Sequence, residues 1–317
     1  MFRFRLVYIT AIAFFCSSNL YSFGADLRNN PEARYNSVQE YFNRHTLLSP
    51  QVRSPNLSPI SKSDLGIQRP VETKKKGFGY HFGFESRLLY SNNPSSSTTR
   101  PFKASGIWEN SMNNNFLLGA YDLGGASFSP ILALGVNNSS YFGDEDLGVA
   151  DSSTLRLSFN GIFQFSDGWS ARMGVGHSSD FHSNMTLTYQ QNSPSVSLSK
   201  SFKIGSASSF IDVSCSYHLT SKAQLDMDRF ENAILWGLQI PIHNFEISPY
   251  LRLSYGNYIN QDRNEFTTGA GLDLSYRFYD WLVAKFLLSY SNRSANGSSN
   301  DFSRFDSGSA LTLQSKF

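Results

Sequence analysis

Disulfides, membrane-spanning helices and a cationic surface for nucleic acid are all missing from this 317-residue sequence. Only two cysteines occur, Cys16 and Cys215. The first lies in a leader-like N-terminus, so Cys215 has no intramolecular partner and no disulfide framework forms. The longest early apolar stretch, Leu6 to Cys16, falls well short of the roughly 20 residues that a membrane helix needs, and nothing later is longer. Lys and Arg number 27 against 25 Asp and Glu; loss of Arg3 and Arg5 with the leader leaves 25 of each. That balance points away from nucleic acid. Phosphate-binding loops and zinc-type cysteine spacings are absent, so no cofactor is expected. Charge is also sparse, at 16% of residues, whereas aromatics reach 15%. Soluble exported domains usually carry more charge and fewer rings.

Three regions are present. Residues 1–24 run from basic (Arg3, Arg5) through apolar to small and polar, the order of a secretory signal peptide. Residues 25–76 have the composition of a linker, with Pro50, Pro55, Pro59 and Pro70 among Ser, Asn and basic residues. A short helix over Pro31 to Arg44 is the one element expected there, and a plug or a periplasmic tether is the functional alternative. From 77 to 317 the period becomes two. Phe78, Tyr80, Phe82, Phe84, Leu88 and Tyr90 fall on one face, and His81, Glu85 and Arg87 on the other. The pattern recurs at Leu155 to Phe165, Ile211 to Tyr217, Ile234 to Ile240, Leu251 to Tyr255, Phe266 to Phe278 and Leu282 to Tyr290.

Connector lengths fix the topology. Short links are expected near Leu123–Ala126, Ser166–Gly168, Gly205–Ser208, Ile242–Asn244 and Tyr279–Trp281. Longer polar segments alternate with them at 91–114, 138–151, 178–194, 219–231, 257–264 and 291–306. Short periplasmic turns alternating with long outer loops characterise membrane barrels. The fold class predicted is therefore all-β, a transmembrane antiparallel up-and-down β-barrel of about twelve strands, with ten or fourteen as alternatives. Aromatics flanking the short links, such as Trp169, Phe278, Tyr279 and Trp281, form one interfacial belt, and Tyr90, Tyr217, Tyr255 and Tyr290 the other. A soluble β-sandwich would also alternate, but it explains neither the rhythm of connectors nor the rings at their edges.

With this leader, these amphipathic strands and a final strand carrying Leu311, Leu313 and Phe317 on one face, the chain resembles the outer-membrane β-barrel proteins of Gram-negative bacteria. The resemblance implies residence in the outer membrane among its lipids. It also implies an insertion signal at Phe317 read by the barrel-assembly machinery. Ser315 departs from the large residue that many members carry there. Function is left open by it.

The polar face predicts a lumen lined by Glu85, Arg87, Arg156, Arg172, Asp212, His218, Glu246, Arg252, Asp273, Arg277 and Lys285. Glu246 with Arg277 and Arg252 with Asp273 are the expected cross-strand pairs. The first functional expectation is a non-enzymatic, porin-like narrow channel that passes small polar solutes or ions. The alternative is an occluded structural or adhesive barrel with Ser- and Asn-rich surface loops. A third reading is a lipid hydrolase at the rim. Its catalytic candidate is His177 with Ser178 and Asp180, because several outer-membrane lipid hydrolases place a hydroxyl nucleophile and a His base near that rim. A solvated polar loop is the bland account of the same residues, and His177, Asp180 and His182 make too small a set for a metal site.

Overall fold

The computed structural model describes residues 78–93, 105–142, 151–165, 167–182, 185–222, 228–259, 261–296 and 301–316. The leader, the 25–76 extension and Phe317 lie outside the described residues. The strands are β1 (Gly79–Ser91), β2 (Ser105–Leu117), β3 (Tyr121–Asp122), β4 (Ala126–Phe142), β5 (Ser152–Phe165), β6 (Trp169–His182) and β7 (Leu187–Ile204). They continue as β8 (Ala207–Lys222), β9 (Arg229–Ile242), β10 (Phe245–Tyr258), β11 (Arg263–Tyr279), β12 (Leu282–Ala295) and β13 (Phe302–Lys316).

Each strand pairs antiparallel with its neighbour in sequence, except that β3 is a two-residue appendage on the start of β4. Two further pairings close the sheet. β1 pairs with β13, and β2 pairs with β4 across the stub. The result is a closed barrel of twelve strands with one extra short strand. Closure leaves the twelve barrel strands without an edge, which is what lets strands cross a bilayer. A β-sandwich is thereby excluded.

All five tight turns sit at one end, where glycine is used as it must be: Gly168 and Gly205 adopt positive φ at the β5–β6 and β7–β8 turns. The chain enters β1 and leaves β13 at this end too, since His81 pairs with Lys316. The other end carries the longer connections, but they are shorter than the sequence suggests. Residues 105–114 belong to β2 rather than to a loop, and the expected loop 178–194 shrinks to the few residues between His182 and Leu187. β7 alone runs for 18 residues. Alternation marks only the part of a strand whose outward face is uniformly apolar. At positions such as Asn110, Gln190 and Asn192 the outward residue is polar too, and backbone pairing continues without the signal.

The wall is inverted relative to a soluble protein. Leu88, Tyr90, Trp108, Leu155, Phe159, Val213, Leu251, Phe286 and Tyr290 point outward and are exposed. Near the tight turns Tyr279 stacks on Trp281 at 5.3 Å, and the Lys200 ammonium lies 5.1 Å from the centre of the Trp169 ring. There a lysine stem can cover apolar surface while its head reaches the interface.

Candidate functional site

Two surfaces can carry function in such a barrel, the lumen and the lipid-facing wall. Strand register assigns every side chain to one or the other. All eleven residues read as lumen-facing share the inward parity: Glu85 lies opposite Thr312 and Ser111, Arg156 opposite Ser178, Asp212 opposite Ser199 and Leu235, and Lys285 opposite Ser275 and Ala310. Arg277 differs from the rest in lying exposed at the tight-turn end.

Ion pairs organise this face. Lys285 Nζ donates to Glu85 Oε2 at 2.7 Å, and Thr312 Oγ1 donates to the same oxygen at 2.8 Å. Arg87 pairs with Glu109 of β2, a partner that the sequence reading did not pick out. Arg252 donates to Glu231 at 3.1 Å. The expected Arg252–Asp273 pair is corrected by the register, which sets Arg252 opposite Gly269 and Asp273 opposite Ser248. Glu246 lies opposite Ser275, one inward position from Arg277, and accepts a hydrogen bond from Ser248 at 3.0 Å. Toward the long-connection end, Arg263 and Arg293 share Glu265, which also accepts from Tyr258 Oη at 3.2 Å. Nothing in period-two reading distinguishes these residues from solvated loop, because 257–264 and 291–306 carry no apolar alternation.

The lumen also holds the apolar core. Among the described residues, every buried apolar side chain faces inward, including Leu89, Ile107, Ile131, Ile162, Phe210, Leu235, Tyr250 and Leu287. Leu89, Ile107, Leu287 and Ala310 cluster with Tyr141, while Phe210, Leu235 and Tyr250 form a second group. The phenol ring of Tyr250 packs against Gly271, and the Phe210 ring against Gly237. Charges on other strands act across this face: Tyr250 of β10 lies in the field of Asp306 of β13 and Arg87 of β1. Asp212 similarly feels Arg172 of β6 and Arg252 of β10.

The rim candidate is divided by the same parity. Ser178, opposite Arg156 and Gln191, and Asp180, opposite Thr154 and Tyr189, point into the lumen. His177 points to the lipid side, so neither neighbour in sequence can serve it. Its ring contacts Asn192 and Ser179 instead. Sequence reasoning missed both, although His177 and Ser179 share the parity of Met173 and Val175.

No family model and no curated protein matches this chain. Solved structures do. An outer-membrane channel from Pseudomonas putida F1 superposes with a TM-score of 0.50 at 10% identity, over 79% of this chain and all of that one. The NanC porin aligns at 0.43 and 12% identity, over 73% of this chain and 98% of its own. The KdgM porin aligns at 0.38 and 10%, over 72% and 97%. At such identities the likeness concerns the backbone alone. Closure, an inverted wall and this likeness together define the chain's architecture: it is a twelve-stranded β-barrel of the outer-membrane type.

Proposed function

We propose that this protein is a closed-lumen barrel of the Gram-negative outer membrane, a scaffold that spans the bilayer without conducting solute. On this reading the leader directs export, the barrel-assembly machinery inserts the chain through its last strand, and outer-membrane lipid is its permanent partner. One observation carries the proposal. Charges that would line an aqueous path are dry: Glu85 is 8% exposed, Arg87 5%, Asp212 6% and Glu265 1%. A water-filled channel leaves its lining charges wet, whereas a filled barrel pairs them across strands.

The narrow-channel reading draws on a different part of the wall. Arg156 and Arg172 keep partial exposure beside Ser158, Gly174, Gly176, Ser193 and Ser195, the small-residue stretch of β5 to β7. Planar-bilayer recording of the purified, folded barrel separates the two. No stepwise current is expected. Discrete conductance steps whose reversal potential in a salt gradient moves on Arg156→Gln or Arg172→Gln would overturn the closed-lumen reading in favour of a basic channel.

A further inference from the structure

A lipid-facing strand surface should be apolar, and on β6 it begins so, with Met173 and Val175 outward. The next two outward residues are His177 and Ser179. Opposite them on β7 stand Asn192 and Gln190, also outward. Four polar side chains therefore form a square on the outer wall, within the last six residues of β6 before its long-connection end at His182. Exposed apolar residues border it on both flanking strands. Leu157 and Leu155 of β5 lie opposite His177 and Ser179, and Leu219 of β8 lies opposite Asn192. A closed barrel needs no such polar island in its lipid-exposed band.

The hydrogen bonds of the square run in one sense. His177 Nδ1 lies 2.9 Å from Asn192 Oδ1. A carbonyl oxygen only accepts, so Nδ1 carries the proton and Nε2 keeps its lone pair. Nε2 in turn lies 3.1 Å from Ser179 Oγ and 3.2 Å from Gln190 Nε2. An amide nitrogen only donates, so this contact demands the same tautomer independently. Gln190 is oriented by Ser221, whose hydroxyl donates to its Oε1 at 3.2 Å. Hydroxyl, imidazole lone pair and an acceptor fixing the far ring nitrogen are the three parts of an activated serine.

We propose that Ser179 and His177 are the catalytic residues of an ester hydrolase acting on acyl esters of membrane lipid, with Asn192 positioning the imidazole. The reading is independent of whether the lumen is closed. Ser179 Oγ attacks the ester carbonyl as His177 Nε2 takes the hydroxyl proton, and the carbonyl electron pair moves onto oxygen. Protonated Nε2 can no longer accept from Gln190 Nε2, whose N–H is released to the new oxyanion at the moment the charge forms. Collapse breaks the ester C–O bond, and His177 returns its proton to the departing alkoxide. Water then attacks the acyl-serine and gives its proton to His177; collapse breaks the bond between Ser179 Oγ and the acyl carbon, His177 returns the proton to Oγ, and the fatty acid leaves. The substrate class follows from location. Ser179 is only 5% exposed, with Leu155 and Gln190 directly opposite it on the two flanking strands. An acyl chain lying along Leu155 and Leu157 brings an ester to it from the bilayer.

The full-length folded barrel tests this in vesicles of phosphatidylethanolamine, by fatty-acid release and by mass mapping of a long-chain fluorophosphonate adduct. Release and an adduct on Ser179 are expected. Ser179→Ala removes the adduct and lowers turnover by roughly a thousandfold or more. Asn192→Ala lowers kcat with KM little changed and shifts the pH profile, and Asn192→Asp restores most of the rate. Ser178→Ala, one residue away but facing the lumen, leaves release intact. Absence of both release and adduct from wild-type barrel, shown folded by its heat-modifiable mobility, would overturn the assignment, and so would an adduct on another serine. A conductance result bears only on the lumen and leaves this outcome untouched.

Discussion

Glu265→Gln is expected to destabilise the folded barrel by about 3 kcal/mol, the cost of stripping a buried cation of its carboxylate partner. Glu265 is 1% exposed, and the two guanidiniums that share it, Arg263 and Arg293, are 6% and 4% exposed. A glutamine fills the same volume and keeps an acceptor for Tyr258 Oη, but it supplies no charge. Two like charges then remain close together in a dry lumen. Stacking partly offsets the loss, since Arg263 lies over the Tyr258 ring at 4.6 Å and Arg293 over the Phe302 ring at 4.4 Å. That offset keeps the expectation at the lower end of the usual range. Urea unfolding in lipid vesicles, followed by tryptophan fluorescence, measures it. A variant within about 0.5 kcal/mol of wild type would mean that water solvates these guanidiniums. The closed-lumen reading would then fail with the prediction.

The second large effect lies where an aromatic ring meets a glycine. An added Cβ at Gly271 would sit 2.3 Å from the Tyr250 ring, far inside contact distance. The ring is 6% exposed and packed with Phe210 and Leu235, so moving it aside disturbs that cluster. Gly271→Ala should therefore cost about 2–3 kcal/mol by overpacking. Tyr250→Ala in the same chain removes the clash, so the two changes should be strongly non-additive. Gly256 is the internal control. It lies on the same inward face of β10, yet a Cβ there meets nothing within 4 Å, and Gly256→Ala should leave the unfolding midpoint nearly unchanged. Equal losses at both glycines would attribute the effect to strand flexibility rather than to the ring.

The architecture was legible in the sequence because membrane strands carry a strict period. Leu155, Leu157 and Phe159 against Arg156, Ser158 and Asn160 fix the face of each residue without reference to any other strand. The five tight turns were legible for a similar local reason, since Asp167-Gly168 and Gly205 carry the turn chemistry themselves. The outer ends of the strands were not. At 105–114 and 187–194 pairing continues where outward positions such as Asn110, Gln190 and Asn192 are themselves polar, so the period disappears.

Site geometry divides along the same line. Parity alone puts His177 and Ser179 on one face and Ser178 and Asp180 on the other, so the sequence already contained the reason to pass over its nearest serine. It could not supply Asn192 or Gln190. Those depend on the register between β6 and β7, which is set at their connected end by the short link between His182 and Leu187 and by the bulge between Asp180 and Phe181. Likewise the composition of the lumen was readable, but its pairs were not: Glu109 meets Arg87, and Glu231 meets Arg252, only through cross-strand register. The sequence by itself determined that this is a barrel and which way each side chain points, because a two-residue period is a local property. The tertiary structure alone decided which side chains meet, because register and closure join residues far apart along the chain.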